Sequence, residues 1–167
     1  GLLHINLARA LGAGRIVATD MVPDRLEAAM KLGADHTFLA TDDIPARLRE
    51  VNDGRLADLV IVCTGAPPAL QQGLDSVDRG GTVLFFAPTE PGINITVSVN
   101  DLFFRNDATL TTTYAGAPGD LSTALEMIGS GRVQVGQMIS HRLGLEEAGL
   151  GFQLTAEARS SLKVIIQ

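Results

Sequence analysis

The first twenty residues decide the fold: Gly1-Leu-Leu-His-Ile-Asn-Leu-Ala-Arg-Ala-Leu-Gly-Ala-Gly-Arg-Ile-Val-Ala-Thr-Asp20. A glycine precedes a stretch with helical apolar spacing, Gly12 and Gly14 end that stretch, and the apolar run at residues 16–19 follows. A short, continuous apolar run rich in β-branched residues is typical of a buried parallel strand. The carboxylate of Asp20 then stands where that strand ends. This order of glycine, helix, strand and acid predicts the second half of a βαβ unit.

The same order matches the later part of the dinucleotide-binding pattern G-x-G-x-x-G, with Gly1 as its last glycine. A glycine here lets the helix pack close to a strand, and the helix N-terminus favours a pyrophosphate. Asp20 would accept hydrogen bonds from the adenosine ribose, each worth about 1.5–3 kcal/mol, and would repel a 2′-phosphate. We therefore expect NAD rather than NADP, and expect the opening strand and glycines to precede Gly1. The alternative for Asp20 is a solvated aspartate that starts a loop.

The composition limits the class of protein. Hydrophobic residues make up 46% and aromatic residues 4% of the chain, which favours aliphatic α/β packing. A net charge of −6 argues against a nucleic-acid partner, and the single Cys63 excludes a disulfide framework. No apolar run reaches the roughly 20 residues that span a bilayer. Residues 2–11 are too short and too mixed for a signal peptide and lack its basic start, so none is expected. We expect no membrane partner and a cytoplasmic location.

Helices and strands alternate along the chain, which predicts a doubly wound parallel sheet of the Rossmann type that lacks its first strand. The apolar run at residues 59–62 is expected to be the central strand. We assign residues 1–137 to an NAD-binding domain and residues 138–167 to a C-terminal segment, either of the sheet or returning toward a missing catalytic domain. Helices are predicted at residues 1–12, 23–32, 42–51, 67–78, 101–105, 121–128 and 146–154, and strands at 16–19, 34–39, 59–62, 82–86, 109–113, 139–143 and 162–166.

The chain resembles the cofactor-binding half of the zinc-dependent medium-chain alcohol and polyol dehydrogenases, especially sorbitol (iditol) dehydrogenase-like members. This resemblance implies hydride transfer from a secondary alcohol or polyol to NAD, with zinc held in a missing N-terminal domain. The segments that carry it are residues 1–12, Asp20, Pro23-x-Arg25-Leu26, Leu32-Gly33-Ala34-Asp35, Cys63-Thr64-Gly65, Arg79-Gly80-Gly81, Asp101-Leu-Phe-Phe-Arg105, Ile139-Ser140-His141-Arg142, Leu145-Glu146-Glu147-Ala148 and Leu162-Lys163-Val164.

The resemblance also implies which residues contact the cofactor. Arg25 would lie along the adenosine, Lys163 would reach the pyrophosphate, and Tyr114 would stand beside the nicotinamide ribose. Surface roles for Arg25 and Lys163, and a small buried apolar role for Cys63, are the alternatives. Arg142 corresponds to a substrate-cleft position, whereas Thr113 replaces the basic residue of sorbitol-type members. The implied cofactor-binding set is Gly1, Asp20, Arg25, Cys63, Thr64, Gly65, Phe86, Ala87, Tyr114 and Lys163.

No catalytic residue and no metal ligand is expected in this chain, because its three histidines and Cys63 are far apart in sequence. We expect residues 1–167 alone to be inactive and poorly folded without the first strand. A homo-oligomer through the edge at residues 101–113 is expected, with an ordinary edge strand as the alternative. Two further functions remain open: an NAD-binding or interaction module without catalysis, and a Rossmann-like methyltransferase.

Overall fold

The computed structural model describes residues 1–157 and 161–167, and within them helices and strands alternate as predicted. None of the described helices is long and apolar enough to cross a membrane. The helices are α1 (Leu2–Ala10), α2 (Pro23–Lys31), α3 (Ile44–Val51), α4 (Pro67–Asp75), α5 (Pro118–Gly129) and α6 (Ala148–Glu157); the strands are β1 (Val17–Asp20), β2 (His36–Leu39), β3 (Ala57–Val62), β4 (Val77–Phe85), β5 (Thr109–Thr112), β6 (Ile139–Leu143) and β7 (Lys163–Ile166).

One compact unit contains Leu2–Leu39 and Ala117–Gln167. In it β1 pairs parallel to β2, with Asp20 opposite Leu39, and β6 pairs parallel to β7. Helix α2 crosses between β1 and β2, as a parallel pair requires. A small core on α1, β1 and α2 holds these elements together through Ile5, Ile16, Ala29 and Ala34.

The other unit contains Ala40–Gly116 together with Gly1. Its strands form a three-stranded parallel sheet in the order β3-β4-β5, so that β4 is central. Val83 on β4 is fully buried, since it packs among apolar side chains of β3 and α4 and of the segment before β5. The core of this unit consists of Val62, Leu70, Leu74, Val77, Val83, Leu102 and Ala108.

The prediction that residues 59–62 form a central strand is wrong for the described sheet. Strand β3 lies at its edge and pairs with β4 alone, and Leu59 is 55% exposed. A continuous apolar run indicates that both faces of a strand are buried. It does not indicate whether the strand pairs with one neighbouring strand or with two. The predicted edge position of residues 109–113 is confirmed, because β5 forms the other edge of the sheet.

The boundary between α4 and β4 also differs from the sequence prediction. Helix α4 ends at Asp75, not at residue 78, and β4 begins at Val77, not at residue 82. The hydroxyl of the buried Ser76 donates to the Gln72 carbonyl and ends the helix. The glycines at 80 and 81 lie within β4, where the register with β3 shifts, so the predicted turn is a bulge inside the strand.

A polar cluster ties α1 to the start of β1. The Arg9 guanidinium donates to the carbonyls of Ala13 (3.0 Å) and Gly33 (2.9 Å) and to the Asp35 carboxylate (2.6 Å). The same Asp35 oxygen accepts the Ile16 backbone N–H at 2.7 Å. The hydrogen bond from Arg9, followed by that from Ile16, lowers the pKa of Asp35 below its usual value of 3.8.

We expect Asp35→Asn to destabilise the protein at neutral pH. Solvent screening of this partly exposed pair keeps the loss at about 1 kcal/mol. A lowered folded-state pKa stabilises above the unfolded-state pKa, so the difference between variant and parent should shrink as the pH falls through 3.8 and below. Urea titrations across this pH range measure it. Glu126→Gln, on the exposed face of α5, is the control, and a pH-independent difference would contradict the assignment.

Candidate functional site

The acid predicted to bind ribose ends strand β1. Oδ1 of Asp20 accepts the Val22 backbone N–H at 2.9 Å, which forms a tight turn into α2. Oδ2 lies 3.9 Å from Nη1 of Arg25 on the first turn of that helix. The two side chains are 32% and 35% exposed, so solvent or a ligand can reach both. The local sequence thus places a reachable carboxylate beside a cation at the carboxyl end of a parallel strand, where ligands bind such sheets.

The segments after β3 and β4 meet in the other unit. The backbone N–H groups of Phe86 and Ala87 both donate to the Val62 carbonyl, at 3.0 and 3.3 Å. These bonds bring the two predicted residues beside the start of the segment 63–65, in which Cys63 and Gly65 are half-buried and Thr64 is exposed. The Thr64 hydroxyl accepts the Ala66 N–H at 3.3 Å. The predicted residues that follow β3 and β4 therefore lie together at the end of the sheet where these parallel strands terminate.

Gly65 permits the closest approach between these segments. A Cβ at this position would overlap the Pro88 carbonyl oxygen and would lie 3.0 Å from the Cα of Thr89. Both obstacles are backbone atoms, so a side chain at position 65 would have to displace the segment after β4. The glycine is thus required by the contact between two loops, a reason that the sequence pattern does not contain.

Tyr114 follows β5 at the same carboxyl end of the sheet. The hydroxyl of Thr112, the last residue of β5, donates to the Phe85 carbonyl at 3.0 Å and holds the two strand ends together. The Tyr114 side chain is 98% exposed, and the next residue, Ala115, has a left-handed φ of 59°. The ring is therefore presented to solvent beside the end of β4.

Gly1 and Lys163 complete the predicted set. Gly1 precedes α1, but a Cβ there would meet no described atom within 4 Å, so the expected close packing is not found among the described residues. Lys163 begins β7, is exposed, and has no side-chain hydrogen bond or ion pair within residues 1–157 and 161–167. Its ammonium group is therefore available to an anion.

The predicted residues fall into two groups, and two residues that support them were not predicted. Each unit collects part of the predicted set: residues 63–65, 86, 87 and 114 in one, and Asp20, Arg25 and Lys163 in the other. The supporting roles of Pro88 and Thr112 were missed. No local signal could have found them, because each contacts a residue more than twenty positions away, such as Phe85 for Thr112.

The described residues contain no group of three or more His, Cys, Asp or Glu side chains that could hold a metal ion. The residues present therefore do not fit a zinc site, and no chemical step can be assigned to a metal bound by them.

The chain matches a known protein family over most of its length. A family model described as zinc-binding dehydrogenase matches residues 1–130. The chain belongs to the zinc-binding dehydrogenase family. Its parallel α/β fold is that of the cofactor-binding Rossmann half of alcohol dehydrogenases, as the solved structures below show. The resemblance stated from the sequence is therefore confirmed.

Individual relatives extend the match over the whole chain. Sorbitol dehydrogenase of Mus musculus is 26% identical over 100% of the chain and 46% of its own length. Erythritol/L-threitol dehydrogenase of Mycolicibacterium smegmatis is 30% identical over 98% of the chain and 45% of its own length. The crystal structure of benzyl alcohol dehydrogenase from Acinetobacter calcoaceticus superposes with a TM-score of 0.89 at 27% identity, covering 99% of this chain and 46% of the other. The chain thus spans about half the length of the curated relatives it matches.

We expect Gly65→Ala to destabilise the unit that contains β3, β4 and β5 by about 1–3 kcal/mol, because the new methyl group forces backbone apart. Thermal unfolding and amide hydrogen exchange at Phe86, Ala87 and Thr89 measure the effect. Gly119→Ala in α5 is the matched control, since a Cβ there meets open space. Equal stability of both variants would show that the 65–88 contact is not tight.

Proposed function

We propose that this chain is the NAD-binding part of a zinc-dependent dehydrogenase that oxidises a secondary alcohol or polyol by hydride transfer to NAD. The observation that carries the proposal is Asp20 at the carboxyl end of β1 with Arg25 beside it. Family membership supports a dehydrogenase and gives no support to the methyltransferase alternative. The non-catalytic NAD-binding module remains the competing hypothesis, to be separated by assay.

Asp20 is proposed to bind the adenosine ribose. Its Oδ1 is engaged by the turn, whereas Oδ2 is oriented by Arg25 and can accept ribose hydroxyl hydrogen bonds. A charge-assisted bond of this kind contributes roughly 1.5–3 kcal/mol. A 2′-phosphate about 4 Å from the carboxylate would be repelled by on the order of 1–4 kcal/mol per unit charge. The chain should therefore prefer NAD to NADP.

The other predicted residues would bind the rest of the cofactor. Residues 63–65, 86 and 87 provide backbone groups at one sheet edge, which suits the nicotinamide end. Tyr114 would flank the nicotinamide ribose, and the ammonium of Lys163 would neutralise the pyrophosphate. Bound NAD would supply the hydride acceptor, while this chain's residues bind and orient it. Gly1 is proposed to lie next to the pyrophosphate at the start of α1.

The substrate class is proposed from the relatives. They include sorbitol, erythritol/L-threitol and L-threonine 3-dehydrogenases, and each compound in these names carries a hydroxyl group on a secondary carbon. We propose a small alcohol or polyol of this kind. Zinc would be held outside the described residues.

A titration with NADH, followed by fluorescence, tests cofactor binding in the full-length protein. Reduction of NAD with a panel of sorbitol, erythritol, threonine and simple secondary alcohols then tests turnover. Binding with turnover supports the dehydrogenase. Binding without turnover on any member of the panel, in zinc-replete protein, favours the non-catalytic module. Absence of NADH binding overturns the proposal.

We expect Asp20→Ser to weaken NADH binding by roughly ten- to a hundredfold, the value of one charge-assisted hydrogen bond. NADPH should be weakened less or should gain affinity, because the repulsion of its 2′-phosphate disappears and Arg25 remains. Fluorescence titration with both dinucleotides measures the ratio. Glu27→Gln, which removes the same charge from an exposed position of α2, should leave it unchanged. An unchanged NADH/NADPH ratio in Asp20→Ser would refute the ribose assignment.

We also propose a homo-oligomer formed through the edge element at residues 101–113. Among the described strands β5 pairs only with β4, and Phe104 on the preceding π-helix (Val99–Arg105) is 83% exposed. An open strand edge beside an exposed aromatic side chain suits pairing with a second copy.

Phe104→Ser is expected to shift the assembly toward monomers in sedimentation velocity runs over a dilution series. Leu145→Ser is the control, since Leu145 is similarly exposed (76%) but lies in the other unit. An assembly that resists the first substitution, or that responds equally to both, would place the interface elsewhere.

A further inference from the structure

The pairing of β6 with β7 contains an irregularity at Ser140. Ile139 pairs with Lys163 and His141 pairs with Val164, so Ser140 is an extra residue between two consecutive pairs. An extra residue interrupts the ladder and leaves backbone polar groups of the partner strand without their regular partners. Those groups need another partner, because unpaired backbone N–H and C=O groups are costly.

The Ser140 hydroxyl supplies that partner. Its Oγ donates to the Lys163 carbonyl (3.1 Å) and accepts the N–H groups of Leu162 (3.0 Å) and Lys163 (3.3 Å). Nδ1 of His141 lies 2.9 Å from the same oxygen. One side chain therefore holds both backbone polar groups of Lys163.

The strand that carries Lys163 is fixed on either side of it. The hydroxyl of the buried Ser161 donates to the Leu154 carbonyl on α6 at 2.6 Å. Gly151 of α6 lies so close to the strand that a Cβ would be 2.8 Å from Cδ1 of Ile166 and 3.3 Å from Cγ1 of Val164. The backbone on both sides of Lys163 is thus held by hydrogen bonds and close packing, whereas its exposed ammonium has no partner within residues 1–157 and 161–167.

We propose that Ser140 is a positioning residue for pyrophosphate recognition: its hydroxyl, placed by the bulge, holds the backbone of Lys163 so that the ammonium is presented to the diphosphate of the dinucleotide. This inference rests on the proposed function, in which Lys163 contacts that group. A fixed backbone lowers the number of conformations that the lysine loses on binding, so an oriented charge binds more tightly than a freely moving one. Ser140 need not touch the cofactor.

A double-mutant cycle in the full-length protein tests this. Lys163→Met should weaken NADH binding roughly tenfold and should reduce its dependence on salt, since a charge-assisted contact is lost. Ser140→Ala should weaken NADH binding about threefold in the parent protein. In the Lys163→Met variant the same substitution should have almost no effect, because the contributions of residues that act as a unit are not additive. Ser140→Thr, which keeps the hydroxyl, should restore the parent affinity.

Ser130→Ala is the matched control, since this hydroxyl also bonds to a backbone carbonyl, that of Met127 at 3.2 Å, but lies far from β7 in sequence. It should leave the NADH affinity and its salt dependence unchanged. Thermal melts of every variant show whether each one is folded.

The outcomes separate this inference from the proposed function. A parent protein that does not bind NADH overturns both. NADH binding that is weakened equally by Ser140→Ala with and without Lys163 shows a merely structural role and overturns the positioning inference alone. An affinity that is unaffected by Lys163→Met also overturns it, while the assignment of NAD binding to Asp20 stands.

Discussion

Parallel strand pairing is the constraint on which the rest of the structure depends. Two parallel strands end on the same side, so whatever follows one strand stands beside whatever follows its neighbour. In the sheet of β3, β4 and β5 this brings the segments after Val62, Phe85 and Thr112 to one edge. In the pair β1–β2 it puts Asp20 at the corresponding end. The helices that cross between strands make this arrangement possible and leave the carboxyl ends open to a ligand.

The loops at these strand ends are held by specific contacts. Gly65 admits the Pro88 carbonyl, and the Thr112 hydroxyl satisfies the last carbonyl of β4. On the other unit, the turn at Asp20 uses one carboxylate oxygen for the backbone and leaves the other toward Arg25. The hydrogen bonds of Asp20 and Thr112 give partners to the Val22 N–H and the Phe85 carbonyl, so they stabilise these turns next to residues proposed to bind NAD.

The predictions that held depended on local patterns. A helix followed by an apolar run and an acid placed Asp20 at a strand end, because alternation and turn residues report where elements begin and end. The predictions that failed depended on which strands pair with one another. The run at residues 59–62 was expected to be central and lies at an edge, and the glycines at 80 and 81 bulge a strand instead of preceding it. Apolar character and glycine content are the same in both arrangements.

The sequence by itself therefore determined the family, the alternation of helices and strands, and the acid at the end of β1. Only the tertiary structure decided that Arg9 bonds Asp35, 26 residues away, and that Ser140 holds Lys163, 23 residues away. The physical reason is the separation in sequence between the residues that interact. Helix and strand periodicity arise from contacts between residues a few positions apart. Strand order and loop contacts join residues far apart in the chain and depend on how whole elements pack.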